Sequence, residues 1–317
     1  MSASVQDFEY PDRPCAWNER DLILFAASIG CKDDELRYLY ENDPSFCAFP
    51  TYPVILQFKG AADSVTDYYS SVMKPPPIPG KGERVIDPTR VLDGERHIKI
   101  FKDLPTSSKG RSFKLKTKVL GMYDKGARGT VVETEALLVE GSDIYCRILR
   151  QSFAVGQGRW GGPRGPSRPS FAPPTDRPAD EVVTIDTRPE LTLLYRLNGD
   201  YNPLHADPSV ALAAGFPRPI LHGLCTWNMT AHAVLRAFDT KRVTTTLKEF
   251  QARFANVVYP GETLVVQMWK MNSAAGSSED AMEIRFLTTV RESGKIALSN
   301  GRAILLHVQQ DRSRLKL

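Results

Sequence analysis

From Gly156 the chain runs Gly-Gln-Gly-Arg-Trp-Gly-Gly-Pro-Arg-Gly-Pro-Ser-Arg-Pro, then Phe171-Ala-Pro-Pro and Arg177-Pro178. No other stretch narrows the possible folds as much. Glycine spreads the backbone over conformations that helices and strands do not use, and proline removes ladder donors, so a regular element cannot cross this run. A chain of 317 residues exceeds the usual size of one hydrophobic core, and the run divides it into two stretches that each suit one. Its prolines favour an extended, semi-rigid interdomain connection. The expected division is a domain over 1–155, a linker over 156–180 and a domain over 181–317.

The two stretches repeat one order, helices first and strands afterwards. After the linker, Pro189–Leu197 and Pro208–Ala214 are expected as short helices. Ile220–Phe238 carries apolar residues at 224, 227, 231, 234, 235 and 238, the spacing of a buried helix face. Four β-branched, apolar segments follow at Thr244–Val258, Glu262–Met271, Ala281–Glu292 and Lys295–Val308. Tyr259-Pro-Gly, Asn272–Ser278 and Ser293-Gly separate them as turns. Before the linker, Asn18 can cap a helix through Leu22–Ile29, and Pro53-Val-Ile-Leu-Gln-Phe-Lys is expected to open a longer one. Strands are expected at Arg96–Lys102, Ser112–Tyr123, Gly129–Glu140 and Ile144–Val155, with a loop over Lys74–Gly82. Two copies of one α+β unit result, helices packed on antiparallel sheets.

Lining up Pro53-Val-Ile-Leu-Gln57 with Pro219-Ile-Leu-His-Gly223 places Leu56 and Gln57 opposite His222 and Gly223, and Leu39 opposite His205. Only the second copy carries chemistry-bearing residues. They concentrate in Tyr195-Arg-Leu-Asn-Gly-Asp-Tyr-Asn-Pro-Leu-His205-Ala-Asp207, where Asp200, Asn202, His205 and Asp207 crowd polar groups between apolar segments. Proline between Asp200 and His205 keeps them off a single helix. From two sides of a loop they can converge on one water, the neutral imidazole accepting a proton and the carboxylate offering a second acceptor. The alternative is that Asp200 caps a helix and His205 is a satisfied core histidine. Asp200, His205 and Asp207 are also acceptable metal ligands, but no recognised ligand spacing accompanies them, and no metal is expected.

Gly223 stands where the long helix should begin. The first N–H groups of a helix lack internal partners and its dipole favours negative charge there, so this N–H can serve as an oxyanion donor; the alternative is a tight turn. His222 is expected to pack or hydrogen-bond at the helix entrance. Lys248 and Arg253 can meet a phosphate or lie on a solvated strand edge.

The segments Tyr195–Pro208 and Ala214-Gly-Phe-Pro-Arg-Pro-Ile-Leu-His-Gly-Leu-Cys-Thr resemble the hydratase 2 motif of MaoC-like, (R)-specific enoyl-CoA hydratases. Ala252–Leu264 is similar to a later segment of that family. Glu35–Glu41, Phe49–Ile55 and Asp124-Lys-Gly are similar to its eukaryotic, two-copy form. The resemblance implies a double hot-dog fold, each half wrapping an antiparallel sheet around a long helix, with a degenerate first half making room for the acyl chain. It implies that Asp200 and His205 hold the catalytic water, that Asn202 orders the loop, and that Gly223 polarises a thioester carbonyl. His222, Leu224, Lys248 and Arg253 are then expected to touch substrate. The implied reaction is reversible hydration of a trans-2-enoyl-CoA to the (3R)-hydroxyacyl-CoA, coenzyme A entering only as part of the substrate. Departures from the pattern are Asp93 in Leu92-Asp-Gly, where histidine is expected, and Asn256, where a proline often stands.

Other functions compatible with the same residues are a biosynthetic dehydratase, a hot-dog thioesterase, and a non-catalytic acyl-CoA binder. The basic excess, 41 − 37 = +4, is spread over the chain, which argues no nucleic acid. No window approaches the roughly 18 apolar residues of a membrane span. Five cysteines without Cys-x-x-Cys spacing favour reduced thiols. A homodimer is expected, in the peroxisome if Leu315-Lys-Leu317 acts as an address, otherwise in the cytoplasm.

Overall fold

Strands such as Phe113–Asp124 and Ala281–Val290 alternate in burial, and that alternation builds the sheet on which everything else rests. The computed structural model describes residues 8–71, 78, 85–87, 90–239, 244–271 and 281–308. Most of the Lys74–Gly82 loop, the Asn272–Ser278 turn and the Leu315–Leu317 tripeptide lie outside them.

The first half comprises β1 (Arg13–Cys15), α1 (Glu19–Ser28), α2 (Leu36–Leu39), a 3-10 turn (Tyr52–Ile55) running into α3 (Leu56–Lys59), α4 (Tyr68–Ser71), β2 (Val91–Ile100), β3 (Phe113–Asp124), β4 (Gly129–Glu140) and β5 (Asp143–Val155). The second comprises β6 (Glu181–Asp186), α5 (Leu191–Tyr195), α6 (Pro208–Ala213), α7 (Gly223–Phe238), β7 (Thr244–Phe254), β8 (Thr263–Lys270), β9 (Ala281–Val290) and β10 (Ile296–Val308). The strands form one antiparallel sheet in the order β1-β3-β4-β5-β2-β7-β10-β9-β8-β6. Followed inward from each end, the order is β1-β3-β4-β5-β2 on one side and β6-β8-β9-β10-β7 on the other. The halves therefore share one topology, and β2 pairs with β7 from Glu95↔Arg253 to Lys99↔Glu249. This is the α+β, double hot-dog arrangement.

The long helix α7 is buried over its whole circumference from Leu224 to Leu235. Trp227 meets Phe250 edge-on with ring centres 4.6 Å apart, and Phe250 stacks on Phe286 at 4.8 Å. Burying a large apolar side chain of this kind contributes roughly 1.5–3 kcal/mol, so the helix is held by its wrapping sheet. At the other end of the chain, Asn18 caps α1 in a reciprocal box with Asp21, as expected.

Three expectations need correction. The helix opened by Pro53 is short: it stops at Gly60, whose φ of +56° puts the backbone in the left-handed region, and Lys59 is tied back to the Ala16 and Ala62 carbonyls. Among the described residues, only the second half wraps a long helix. The halves do not simply place helices before strands, because β1 and β6 precede them. Each is an outermost strand, and Pro14 is tolerated in β1 because an edge strand can spare a donor.

The Gly/Pro run carries neither helix nor strand, as expected, yet it is a packed strap rather than a free spacer. Trp160 is buried against Val119, Met122 and Val132 and donates Nε1–H to Thr130 Oγ1 at 2.9 Å. The Asp124 carboxylate accepts from the Arg159 and Gly161 N–H groups at 2.9 and 2.8 Å. Arg168 pairs with Glu133, and Phe171 lies under the guanidinium groups of Arg285 and Arg302.

Candidate active site

Local backbone chemistry sets the position of each group in the Tyr195–Asp207 segment. α5 tightens into a 3-10 turn over Arg196–Asn198 and ends at Gly199, φ +116°. A Cβ at Gly199 would fall 2.7 Å from both Cα and N of Lys59, so only glycine lets this turn press against α3 of the first half. Asn198 adds a hydrogen bond to Ser28 Oγ at 2.9 Å. The next residue, Asp200, is thereby delivered to the junction of the halves. Its carboxylate accepts the Asn202 N–H at 3.3 Å, and Asn202 Oδ1 accepts the Leu204 N–H at 3.1 Å, capping the 3-10 turn that ends in His205. Asn202 thus orders the loop.

His205 is buried, and its Nδ1 lies 2.9 Å from the Ile220 carbonyl. A carbonyl only accepts, so Nδ1 carries the proton and Nε2 keeps a free lone pair. Thr192 Oγ1 donates to the His205 carbonyl at 2.6 Å, fixing the residue from behind. Burial pushes the His205 imidazole below its ordinary pKa against the opposing pull of Asp200, and burial raises Asp200 against the pull of His205. Ligand atoms of Asp200, His205 and His222 lie within 4.8 Å of one another. That span suits a single water bridged by two hydrogen bonds of about 2.7–3.0 Å.

His222 lies between two rings, stacked on His205 at 3.7 Å and tilted against Tyr195 at 5.1 Å. Its Nε2–H donates to the Asp200 carbonyl at 3.1 Å, and Nδ1 faces Thr192 Oγ1 at 3.4 Å. Burial holds it well below the ordinary imidazole pKa. The Nε2–H of His222 is therefore committed to holding the Asp200 backbone, while its Nδ1 keeps a lone pair, because the single Thr192 hydroxyl proton goes to the His205 carbonyl. Asp207 is elsewhere: exposed, it caps α6 by accepting the Ser209 N–H at 2.8 Å.

Gly223 is the first residue of α7 and is exposed between buried His222 and Leu224. The helical ladder starts with Cys225 and Thr226 donating to the His222 carbonyl, so the Gly223 N–H precedes it. A Cβ here would sit 3.2 Å from Phe254 Cδ1. Leu224 is core. Lys248 lies at a register break of β7, where Ile304 and Leu305 pair with Glu249 and Leu247 and skip it. Arg253, half exposed, pairs with Glu95 at 3.3 Å, and as the neighbour of Phe254 in the strand it points to the other face of the sheet. Neither basic residue is joined to the loop that carries Asp200 and His205.

The first half supplies side chains that sequence reasoning passed over. Arg150 Nε and Arg96 Nη2 reach Asp93 at 2.8 and 3.3 Å. A groove of about 390 Å³ runs past Gly199 and Tyr201, lined also by Leu24, Val65 and Leu197.

A MaoC like domain model matches residues 170–291, and an MFE-2 hydratase 2 N-terminal domain model matches 16–145. A probable dehydratase NIT22 of Ajellomyces capsulatus is 41% identical, covering 96% of this chain and 82% of its own length. The chain belongs to the MaoC-like hydratase 2 family. A probable enoyl-CoA hydratase 2 of Dictyostelium discoideum is 32% identical over 92% of this chain and 93% of that protein. The crystal structure of a MaoC-like dehydratase from Phytophthora capsici superposes with a TM-score of 0.77 at 32% identity, covering 96% of this chain and 98% of that one. Membership in the hydratase 2 family makes the protein an enzyme of the hydro-lyase class.

Proposed function

We propose that this enzyme reversibly hydrates trans-2-enoyl-CoA to (3R)-hydroxyacyl-CoA. The observation that carries the reading is the meeting of three features at the junction of the halves. A neutral imidazole has its Nε2 lone pair free, a half-buried carboxylate lies within one water's span of a nitrogen of that ring, and an exposed helix-start N–H follows directly on His222. Water held by Asp200 and His205 Nε2 gives one proton to His205 as its oxygen bonds to C3. The double-bond electrons move to the thioester oxygen, where the Gly223 N–H and the aligned peptide dipoles of α7 stabilise them. The imidazolium then returns the proton to C2, so one water is added and His205 is restored. Elimination follows the same steps backwards, and the direction is set by the concentrations of the two thioesters. The (3R) outcome rests on the family's hydratase 2 motif, and peroxisomal location on relatives whose names place them in that organelle.

The test is to incubate purified protein with trans-2-enoyl-CoA thioesters of several lengths, following enoyl absorbance and free thiol together. Enoyl loss without thiol release, with a product oxidised by a (3R)-specific dehydrogenase, is the expected result. Thiol release would make it a thioesterase, and binding without either change would make it a non-catalytic binder.

A further inference from the structure

A second group of chemistry-bearing side chains lies toward the other end of α7. His232 stands about 13 Å along the helix axis from Gly223, where α7 meets the first half. Its Nε2 is 3.0 and 2.8 Å from the two carboxylate oxygens of Glu35, the residue that precedes α2. Cys31, just past the end of α1, completes the group: one ligand atom from each of Cys31, Glu35 and His232 lies within 4.8 Å of the others. Tetrahedral zinc, with bonds of about 2.0–2.3 Å, holds its ligand atoms about 3.3–3.8 Å apart, so small side-chain shifts would close this set on one ion.

The surroundings hold all three donors in place. The Cys31 N–H donates to the Ala26 carbonyl at 3.1 Å after a turn at Gly30, the Glu35 carboxylate accepts the Lys32 N–H at 2.8 Å, and Phe49 meets the His232 ring edge-on at 6.0 Å. Arg236 also reaches Glu35, at 3.0 Å, but it grips Asp34 through two bonds of 2.8 and 2.9 Å. It therefore keeps a partner when Glu35 turns to a metal. Without an ion, Asp34 and Glu35 leave one negative charge beyond Arg236. With zinc bound to a Cys31 thiolate, the Glu35 carboxylate and a neutral His232, the group sums to zero. Burial and the Glu35 charge hold the Cys31 thiol above its ordinary pKa, so it keeps its proton until a metal releases that proton to solvent. The single imidazole proton of His232 moves from Nε2 to Nδ1. Cys31 is only half-buried, which gives a water access as the fourth ligand.

We infer that Cys31, Glu35 and His232 form a structural zinc site that ties the α1–α2 connection of the first half to α7 of the second. Thiolate and imidazole donors select zinc over magnesium or calcium. The test does not depend on the reaction proposed above. Full-length protein, free of any affinity tag and kept reduced, is stripped with chelator, then titrated with zinc against a chromogenic competitor and separately with cobalt. About one zinc per chain is expected, and cobalt should show a thiolate-to-metal charge-transfer band beside the visible bands of a tetrahedral ion. Cys31→Ser, which exchanges only sulfur for oxygen, should abolish that band and weaken zinc binding by more than about 100-fold, beyond the roughly 10–100-fold loss typical of outer-shell changes. His232→Ala should weaken zinc binding as much. His205→Ala should leave both readouts intact, which sets the site apart from Asp200, His205 and His222, the other such group among the described residues, which has no sulfur. Zinc should raise the Tm of the wild type and not that of Cys31→Ser. No zinc uptake by the wild type, cobalt uptake without the charge-transfer band, or zinc binding that survives Cys31→Ser unchanged would each overturn the inference.

Discussion

Gly223→Ala separates the catalytic role of the helix start from its structural one. The new methyl would lie 3.2 and 3.3 Å from Cδ1 and Cε1 of Phe254, inside the contact distance of about 3.5–4.0 Å, so the ring or the first turn must yield by a few tenths of an ångström. Alanine favours the helix by roughly 0.5–1 kcal/mol, and mild overpacking costs about 1 kcal/mol, so the two nearly cancel and Tm should move by no more than about 3 °C. Activity should respond differently. Loss of an oxyanion donor costs about 10²–10³ in kcat, and a displaced N–H with a methyl at the carbonyl's approach should cost at least tenfold. The loss should fall on kcat more than on KM, because the donor acts on charge that develops only as water adds. Steady-state enoyl absorbance beside scanning fluorimetry reads both quantities. Turnover within about twofold of wild type, with an unchanged Tm, would remove the Gly223 N–H from the mechanism.

Asp200→Asn and His205→Ala should each lower kcat by about two to four orders of magnitude in the same assay, with far-ultraviolet circular dichroism unchanged. His205 works as the neutral imidazole, and burial sets it below the ordinary value of 6.5, so the rate should be flat above that pH and fall only below it. Asp200 raises His205 by its charge, so any residual activity of Asp200→Asn should show its acid limb at still lower pH; a limb moved upward would contradict the pairing. Gly199→Ala must force a side chain into the Lys59 backbone, and chemical denaturation should show a loss of about 2–4 kcal/mol. Trp160→Ala should cost about 3–5 kcal/mol and make the Gly156–Asp180 strap the first site of limited proteolysis, whereas wild-type resistance in the variant would show that the strap is held by other contacts.

Local pattern disclosed a large part of this molecule. Alternation placed β4 at Gly129–Glu140 without error, Asn18 capped its helix, and the crowded polar turn brought Asp200 and His205 together. Features that depend on distant partners stayed hidden. The helix begun at Tyr52 looks long by its apolar run but is stopped by the turn at Gly60 and by backbone far away at Ala16. Asp93 stood out only as a departure from the family pattern, because its partner Arg150 is 57 positions along the chain. Arg96 looked like one more polar residue in a strand, and its burial depends on β7 lying beside it. Asp207 belongs to α6 rather than to the site, a division that composition alone could not make.

The seam between β2 and β7 has a genetic consequence. Where two identical copies meet across an axis, every substitution on one strand is made on its image as well, and a buried cation would be introduced twice. In this chain the facing positions are encoded separately, and Arg96 looks across the seam at Ala252. One side is thus free to acquire charge while the other remains small and apolar. Joining the copies in one polypeptide is what allows the two facing strands of the seam to diverge in charge and size.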